Sequence, residues 1–301
     1  MNWDRSKTIL ILFLIGLNAF LAAMYFAYED DYTVSRDDIQ VITTLLGQQD
    51  ILLAVTDMPR SFPPVDQLNL EPAVYNSAQL VNTFFIDTSN ISQTIEFGNP
   101  IFSSPEGTLT IMQHIVRFEP SQNSPNPLFN TTTENFHLAW TSFAQFLQAN
   151  TDLFPSFEID QITPAEFNQT DTGSYNFAID SFTIEFRQHY RGYTILPNIL
   201  SFTITPTGVS EILYTFYPLD GFTGLRQPII SAVQALFMFK LETAHIHTHA
   251  YNPIIITNID LVHDIAFSED GFGRITTVPY YRIFHTHGEP MLINAITGGA
   301  Q

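Results

Sequence analysis

Histidines at alternate positions are the residues of this chain whose type and spacing could do chemistry. His245, His247 and His249 form an H-x-H-x-H pattern, and His285 and His287 repeat the spacing further along. Because alternate side chains of a β-strand point to one face, three such imidazoles could bind Zn²⁺ together. The pattern therefore makes a zinc-dependent hydrolase one candidate function.

The rest of the sequence favours a non-catalytic role for these histidines. The chain has no H-E-x-x-H motif, no G-x-S-x-G motif, no Walker loop and no cysteine nucleophile. Histidine spacing without such a context is typical of exposed or hydrogen-bonded side chains. We therefore predict that the chain is not an enzyme and holds no cofactor or metal. An anchored zinc-dependent envelope hydrolase is kept as the alternative.

The elements that position these residues start from an apolar stretch, Thr8 to Tyr28, which carries no charge. About 20 apolar residues are enough for an α-helix to cross the hydrocarbon of a bilayer. Arg5 and Lys7 precede the stretch and Glu29 follows it, which predicts a cytoplasmic N-terminus and an extracellular C-terminal body. A cleaved signal peptide has a shorter apolar core. We therefore predict a single-pass protein of the cell membrane.

Asn18 is the strongly polar residue of this stretch and is expected near the middle of the membrane. An amide in hydrocarbon needs a hydrogen-bond partner, and a neighbouring helix can provide one. Gly16, Ala19 and Ala23 are small enough to let a second helix approach closely. These four residues are predicted to form a transmembrane interaction site. An amide bonded only within its own helix is the other interpretation.

The acidic composition excludes nucleic acid as a partner. The formal net charge is −19, from 30 acidic and 11 basic residues, and such a surface repels a phosphate backbone. Hydrophobic residues make up 45% of the chain and aromatic residues 14%, which predicts a well-packed body. Because cysteine is absent, a disulfide framework is excluded and stability must come from the core.

The first folded domain is predicted over residues 29–125, after a cytoplasmic tail at 1–7 and the anchor at 8–28. Ser35 can cap a helix over Arg36–Leu46, since Asp38 follows at the third helical position. Short strands are predicted further along, among them Ala78–Ile86.

The second domain is predicted over residues 126–301, after a stretch rich in Pro, Asn and Ser at Glu119–Asn130. Two strands are expected to meet in a turn at Pro206–Gly208, and Pro228 suits the first turn of a helix. Met291–Ile296 is predicted to be the closing strand. Helices and antiparallel strands in this order predict an α+β fold in which antiparallel sheets pack with helices in two units outside the membrane.

Three parts of the chain resemble one known family. The start, MNWDRSKTILILFLIGLNAFLA, has a Trp-containing basic flank and an apolar helix with the pair Leu17-Asn18. The middle, Phe186–Tyr193, ends in a Tyr-x-Gly-Tyr motif. The end combines Pro279–Arg282 with Asn294–Gly298, similar to a closing strand pair. In this order the motifs resemble the YycI family of Gram-positive bacteria.

The resemblance implies a regulator that acts through contact. Members of the YycI family sit beside a second anchored protein, YycH, and the two tune the WalK (YycG) sensor histidine kinase, which controls cell-wall metabolism. Contact in that family involves the transmembrane helices, and the α+β outer part shares its fold with YycH domains. The implied partners are a WalK-type kinase and a YycH-like protein, in addition to the lipid bilayer that the apolar stretch predicts.

Overall fold

The computed structural model describes residues 11, 13–20, 32–55, 58–72, 74–121, 124, 126, 128–165, 181–245, 253–265 and 275–301. Besides the helical residues 11 and 13–20, its α-helices are α1 (Arg36–Gly47), α2 (Ser77–Phe84), α3 (Phe136–Ala149) and α4 (Ala232–Glu242), with 3₁₀ turns at Thr133–Asn135 and Thr243–His245. The strands in chain order are β1 (Ile51–Leu53), β2 (Val65–Leu70), β3 (Ser92–Glu96), β4 (Asn99–Ser104), β5 (Gly107–Ile111), β6 (Val116–Pro120), β7 (Phe157–Ala165), β8 (Ser181–Tyr190), β9 (Tyr193–Thr205), β10 (Gly208–Thr215), β11 (Leu219–Gln227), β12 (Ile254–Ile265), β13 (Ile275–His285) and β14 (Met291–Asn294). Strand residues outnumber helical ones.

The predicted fold class, which began with a single N-terminal transmembrane helix, is wrong. Within the described ranges, no helix combines the length and the apolar character needed to cross a bilayer. Residues 11 and 13–20 are helical. The rest of the predicted span, at 8–10, 12 and 21–28, lies outside the described residues.

The chain divides into two compact units. Unit 1 consists of Met1–Gln67, Gly224–Leu261 and Val278–Gln301, and unit 2 consists of Leu68–Thr223 and Val262–Thr277. The stretch at 119–130, where a boundary was expected, falls inside the second unit. Because the division is one of contacts rather than of separately folding domains, the domain bounds at 29–125 and 126–301 stay a prediction.

Unit 1 brings together strands from the N-terminal and C-terminal parts of the chain. Strand β1 pairs in parallel with β12, so that Ile51 lies beside Ile254, and β13 pairs antiparallel with β14. Helix α1 packs against β1 and α4, and Ile42 and Leu46 are its buried side chains. The core of this unit is therefore built from segments that are far apart in the sequence.

The start of α1 confirms the predicted cap. The Ser35 hydroxyl accepts a hydrogen bond from the Asp38 N–H at 3.1 Å, and the Asp38 carboxylate accepts one from the Ser35 N–H at 3.2 Å. This reciprocal capping box satisfies donors that the first helical turn leaves without partners. The helix ends at Gly47, one residue beyond its predicted end at Leu46.

Unit 2 contains an antiparallel sheet in the order β7-β8-β9-β10-β6-β5-β4-β3. One face of this sheet carries a core rich in phenylalanine, against which the buried side chains of α2 and α3 pack. Phe143 of α3 stacks on Phe202 of β9 at 4.1 Å between ring centroids, and Phe84 of α2 stacks on Phe118 of β6 at 5.1 Å. Burial of large aromatic side chains supplies most of the driving force here.

The turn between β9 and β10 confirms the prediction at Pro206–Gly208. Gly208 has a φ of 129°, and a Cβ at this position would lie 2.6 Å from the carbonyl oxygen of Phe129. Val209 then donates its N–H to that same oxygen at 2.9 Å. Only glycine allows the backbone to come this close.

Two local predictions fail. Residues 77–84, expected within a strand over Ala78–Ile86, form α2, because the Asn76 side chain accepts hydrogen bonds from two N–H groups of the first turn. Helix α4 begins at Ala232 rather than at Pro228, since Ser231 and Gln234 form its capping box.

Candidate functional site

The predicted interaction residues lie on an exposed helical segment. Gly16, Asn18 and Ala19 belong to residues 13–20, every one of which is exposed, whereas Ala23 lies outside the described residues. No described atom comes within 4 Å of the position that a Cβ would take on Gly16. Nothing in the described part of the chain therefore covers Gly16 or its neighbours, and the assignment of these four residues as an interaction site stays a prediction.

Large apolar side chains surround Asn18 on this segment. Phe13, Ile15 and Phe20 are each 60% exposed or more. Single exposed apolar residues are ordinary, but a continuous apolar helical surface marks a place where another molecule binds. The segment has the composition of a helix that packs against a partner.

The predicted zinc ligands are only partly described. His245 ends the 3₁₀ turn that follows α4, while His247 and His249 lie outside the described residues. His285 is the last residue of β13 and His287 lies in the turn after it. Among the described residues, no group of three or more His, Cys, Asp or Glu side chains is arranged to hold a metal ion.

His285 and His287 bond to their own turn. The His287 N–H donates to Nδ1 of His285 at 3.2 Å, and Nδ1 of His287 lies 3.1 Å from the Thr286 hydroxyl. Burial, together with the nearby His287, lowers the pKa of His285. The ring of His285 also contacts Phe239 of α4, at 5.3 Å between centroids. The ring contact holds the turn between β13 and β14 against α4.

The two motifs at the end of the chain pair with each other. Tyr280 of β13 lies opposite Asn294 of β14, which confirms Met291–Asn294 as part of the predicted closing strand. Arg282 is buried and makes a two-point ion pair with Asp260, with nitrogen–oxygen distances of 3.1 and 2.6 Å. The Tyr281 hydroxyl donates to the carbonyl oxygen of Ile230 at 2.8 Å. The aromatic and basic residues of this motif are thus structural.

Asn294 closes the chain through a local turn. Its side-chain oxygen accepts hydrogen bonds from the N–H groups of Ile296 and Thr297, both at 2.9 Å. Its carbonyl oxygen accepts a third from Gly298, whose φ is 79°. This arrangement explains why an Asn precedes a small residue, a Thr and a Gly at this point. The terminal motif therefore specifies a turn.

The middle motif, Phe186–Tyr193, forms the turn between β8 and β9. Arg191 and Gly192 occupy the two central positions with φ of 49° and 86°. The Arg191 guanidinium lies 5.5 Å from the ring centroid of Tyr190 and 5.2 Å from that of Phe222. A bulky residue such as Arg191 is unfavourable at positive φ in a tight turn. The contacts of its guanidinium with the two aromatic rings offset part of that cost.

Asn198 is a buried polar residue that the sequence did not reveal. It donates from Nδ2 to Gln188 Oε1 at 2.7 Å and to the Tyr217 carbonyl at 2.9 Å, and its Oδ1 accepts from the Tyr217 N–H at 2.7 Å. Gln188 in turn donates to the Pro155 carbonyl at 3.2 Å. Asn198 thereby joins β8 and β9 to the segment after β10. No local pattern around Asn198 marks it, because its partners come from other strands.

His263 is completely buried in unit 2. Its Nδ1 lies 3.0 Å from the Thr277 hydroxyl, which itself accepts the Leu68 N–H at 3.1 Å. Since that hydroxyl still has a proton to donate, Nδ1 is assigned as the acceptor and Nε2 as the protonated nitrogen. Nε2 has no hydrogen-bond partner among the described residues, and burial lowers the pKa of His263 to about 4. The imidazole is therefore neutral at pH 7.

The β3–β4 hairpin exposes two large apolar side chains of unit 2. Phe97 is fully exposed at its tip, Ile95 is 71% exposed, and all of β3 is exposed. Phe97 and Gly98 form a two-residue turn with φ of 50° and 83°. Asn, Asp or Gly is the usual residue at the first of these positions, so an aromatic residue there is unusual. The hairpin is a candidate interaction surface.

Comparisons with known proteins give weak likenesses. No family model matches this chain, and no curated protein matches it. A crystal structure of an uncharacterized protein from Eubacterium rectale is similar at 11% identity and a TM-score of 0.48, covering 84% of this chain and 90% of that one. The structure of YycH from Bacillus subtilis is similar at 10% identity and a TM-score of 0.40, covering 77% of this chain and 54% of that one. The second is a weak link to the YycH fold; at these TM-scores neither likeness supports an argument about function.

Proposed function

We propose that this chain is an accessory regulator that binds a WalK-type sensor histidine kinase together with a YycH-like protein and changes kinase activity through contact. It acts without chemistry of its own. The motifs at the start, middle and end of the sequence, which resemble the YycI family, support this proposal. The ion pair of the buried Arg282 with Asp260 and the Asn294 turn agree with it, because they give the terminal motifs a structural rather than a catalytic role.

The observation that carries the proposal is the uncovered apolar helical segment. Residues 13–20 expose Phe13, Ile15 and Phe20 together with a single amide, Asn18. Apolar surface is stabilised when a partner removes it from water, and an amide within such a surface selects a partner that can hydrogen-bond to it. A helix of the kinase complex with small residues and a polar group would satisfy both requirements.

As part of the same proposal, the folded part of the chain lies outside the cytoplasm, at the outer face of the cell membrane. The strongly acidic composition and the absence of cysteine support this location, since a cysteine-free domain stays stable without control of thiol oxidation. Antibody labelling of the body on intact cells checks it, and labelling only after lysis contradicts it.

Co-purification of the full-length chain with a WalK-type kinase and a YycH-like protein tests the function. Asn18→Leu removes the amide and keeps a similar side-chain volume, whereas Ile15→Leu on the same segment keeps both volume and polarity. A lost hydrogen bond of about 0.5–1.5 kcal/mol lowers the recovered kinase by about two- to tenfold in the Asn18 variant. The control recovers as much kinase as the unchanged chain.

Kinase autophosphorylation, measured on the same preparations, reports the regulatory output. We expect it to change when the unchanged chain is present and to return toward the level of the kinase alone with Asn18→Leu. If the unchanged chain neither recovers the kinase nor alters its autophosphorylation, the proposed function is wrong. If only the Asn18 substitution has no effect, the assigned contact is wrong.

A further inference from the structure

The free edge of the unit 2 sheet has a sequence that is complementary to itself. Strand β3 lies at the end of the sheet order and pairs only with β4 among the described strands. It contains neither proline nor lysine, and its pairing with β4 shows no bulge. Proteins commonly use these three features to prevent edge strands from pairing with other chains. Their absence leaves β3 open to another strand.

The core face of the sheet continues onto this edge. Residues directly opposite each other on paired strands share a face, and one such row runs across five neighbouring strands. The row starts at Gln93 of β3 and continues across the next four strands through Phe102, Leu109, Phe118 and Ile212. Its last four members are buried, and Ile95, two positions from Gln93, lies on the same face but is 71% exposed. An apolar face therefore ends uncovered at β3.

Hairpin geometry fixes which backbone groups point outward. Glu96 and Asn99 close the two-residue turn and form a hydrogen-bonded pair in a hairpin of this type. Because such pairs alternate along an antiparallel ladder, Ser92, Thr94 and Glu96 direct their backbone groups toward β4. The backbone groups of Gln93 and Ile95 consequently point away from the sheet. These four N–H and C=O groups are the ones that another strand would use.

We infer that this edge binds a second copy of the same chain, with the two β3 strands antiparallel about a two-fold axis at Thr94. In this register all five residues pair. Gln93 of one copy exchanges both backbone hydrogen bonds with Ile95 of the other, and Thr94 faces Thr94. Glu96 lies opposite Ser92, so no two carboxylates face each other despite the acidic composition. The apolar side chains of Ile95 from both copies lie on one face and shield each other.

The interface of one short strand pair is small, so the dimer is expected to be weak and concentration-dependent. Sedimentation of the full-length chain, in detergent if needed, is expected to show monomer and dimer in equilibrium, with dimer evident by about 100 μM. If the chain is still entirely monomeric at about 100 μM, the inference is wrong, and a different protein becomes the candidate partner of this edge.

Single cysteines test the register, since the natural chain contains none. Thr94→Cys places two thiols in a non-hydrogen-bonded pair with Cα atoms about 4.5 Å apart, within disulfide reach. Ser92→Cys is the matched control on the same face, because two copies of residue 92 would be about 13 Å apart. Mild oxidation is expected to give at least about tenfold more covalent dimer with Thr94→Cys than with Ser92→Cys. Equal yields, whether high or low, overturn the proposed pairing.

Two lysine substitutions test the same pairing without oxidation. Ile95→Lys adds a charge at the outward edge, and the dimer dissociation constant is expected to rise at least about tenfold. Ser92→Lys places each new ammonium opposite Glu96 of the other copy, and the constant is expected to fall about threefold. Both positions are exposed, and circular dichroism verifies that the fold is retained. A dimer that responds equally to both substitutions contradicts this interface.

Discussion

Asn198 and His263 are both completely buried in unit 2, but their polar atoms are satisfied to different degrees. The amide of Asn198 has three hydrogen bonds of 2.7–2.9 Å to Gln188 and Tyr217. The imidazole of His263 has Thr277 on one nitrogen and no described partner on the other. A fully satisfied polar group fixes the strands around it, whereas a half-satisfied one has already lost part of its hydrogen-bonding energy. We therefore expect the two sites to respond differently to substitution and to pH.

The largest effect is expected from Asn198→Leu. Leucine has a similar volume but leaves the N–H and C=O of Tyr217 and the Oε1 of Gln188 buried without this partner. The free energy of unfolding should fall by about 3 kcal/mol or more, because each such group costs about 1–3 kcal/mol. Urea unfolding with an unchanged m-value measures this loss. Asn82→Leu, on the exposed face of α2, is the control and should change stability by about 0.5 kcal/mol or less.

The next effect, which is at most comparable in size and is specific to the His263 site, is expected from pH. The pKa of His263 is about 4 in the folded chain and 6.5 in the unfolded reference, so the unfolded chain binds a proton first as the pH falls. The stability gained by keeping the imidazole neutral is present above pH 6.5 and is lost between pH 6.5 and 4. The loss is on the order of 3 kcal/mol at full protonation.

His263→Leu isolates this contribution. At pH 7 it should change the free energy of unfolding less than Asn198→Leu does, and between pH 6.5 and 4 its stability should fall less steeply than that of the natural chain. Urea titrations at four pH values compare the two slopes. Parallel curves would show that His263 does not titrate in this way.

The smallest effect is expected from Thr277→Val, which removes one hydroxyl and keeps the side-chain shape. The Leu68 N–H then loses its acceptor and Nδ1 of His263 loses its donor. The free energy of unfolding should fall by about 1–2 kcal/mol. Thr276→Val, the neighbouring residue of β13, is the matched control with little expected change. A loss as large as that of Asn198→Leu would contradict the distinction between the two sites.

Local chemistry in the sequence was sufficient for some elements. Ser35 and Asp38 are three residues apart, and their capping box predicts α1 almost to its last residue. The turn before Gly208 was predicted for a similar reason, because a glycine at positive φ is a local requirement. Asn76 carried an equally local signal for α2, but the apolar residues after it were interpreted as a strand.

The buried polar sites could not be predicted in this way. Asn198 depends on Gln188 and Tyr217, and His263 on Thr277, and nothing in the intervening sequence fixes those pairings. The spacing of the histidines pointed instead to His285 and His287, whose described contacts are with their own turn and with Phe239. The N-terminal apolar stretch predicted a membrane-crossing helix from length alone, and the described residues contain none.

The parallel pairing of Ile51 with Ile254 has a consequence for folding during synthesis on the ribosome. The two strands are about 200 residues apart, so at synthesis rates of about 5–20 residues per second the first waits roughly 10–40 s for its neighbour. During that interval the apolar side chains of α1 and β1 have no permanent cover and remain available to chaperones and to misassembly. Ribosome pausing anywhere between the synthesis of β1 and that of β12 would lengthen this exposure.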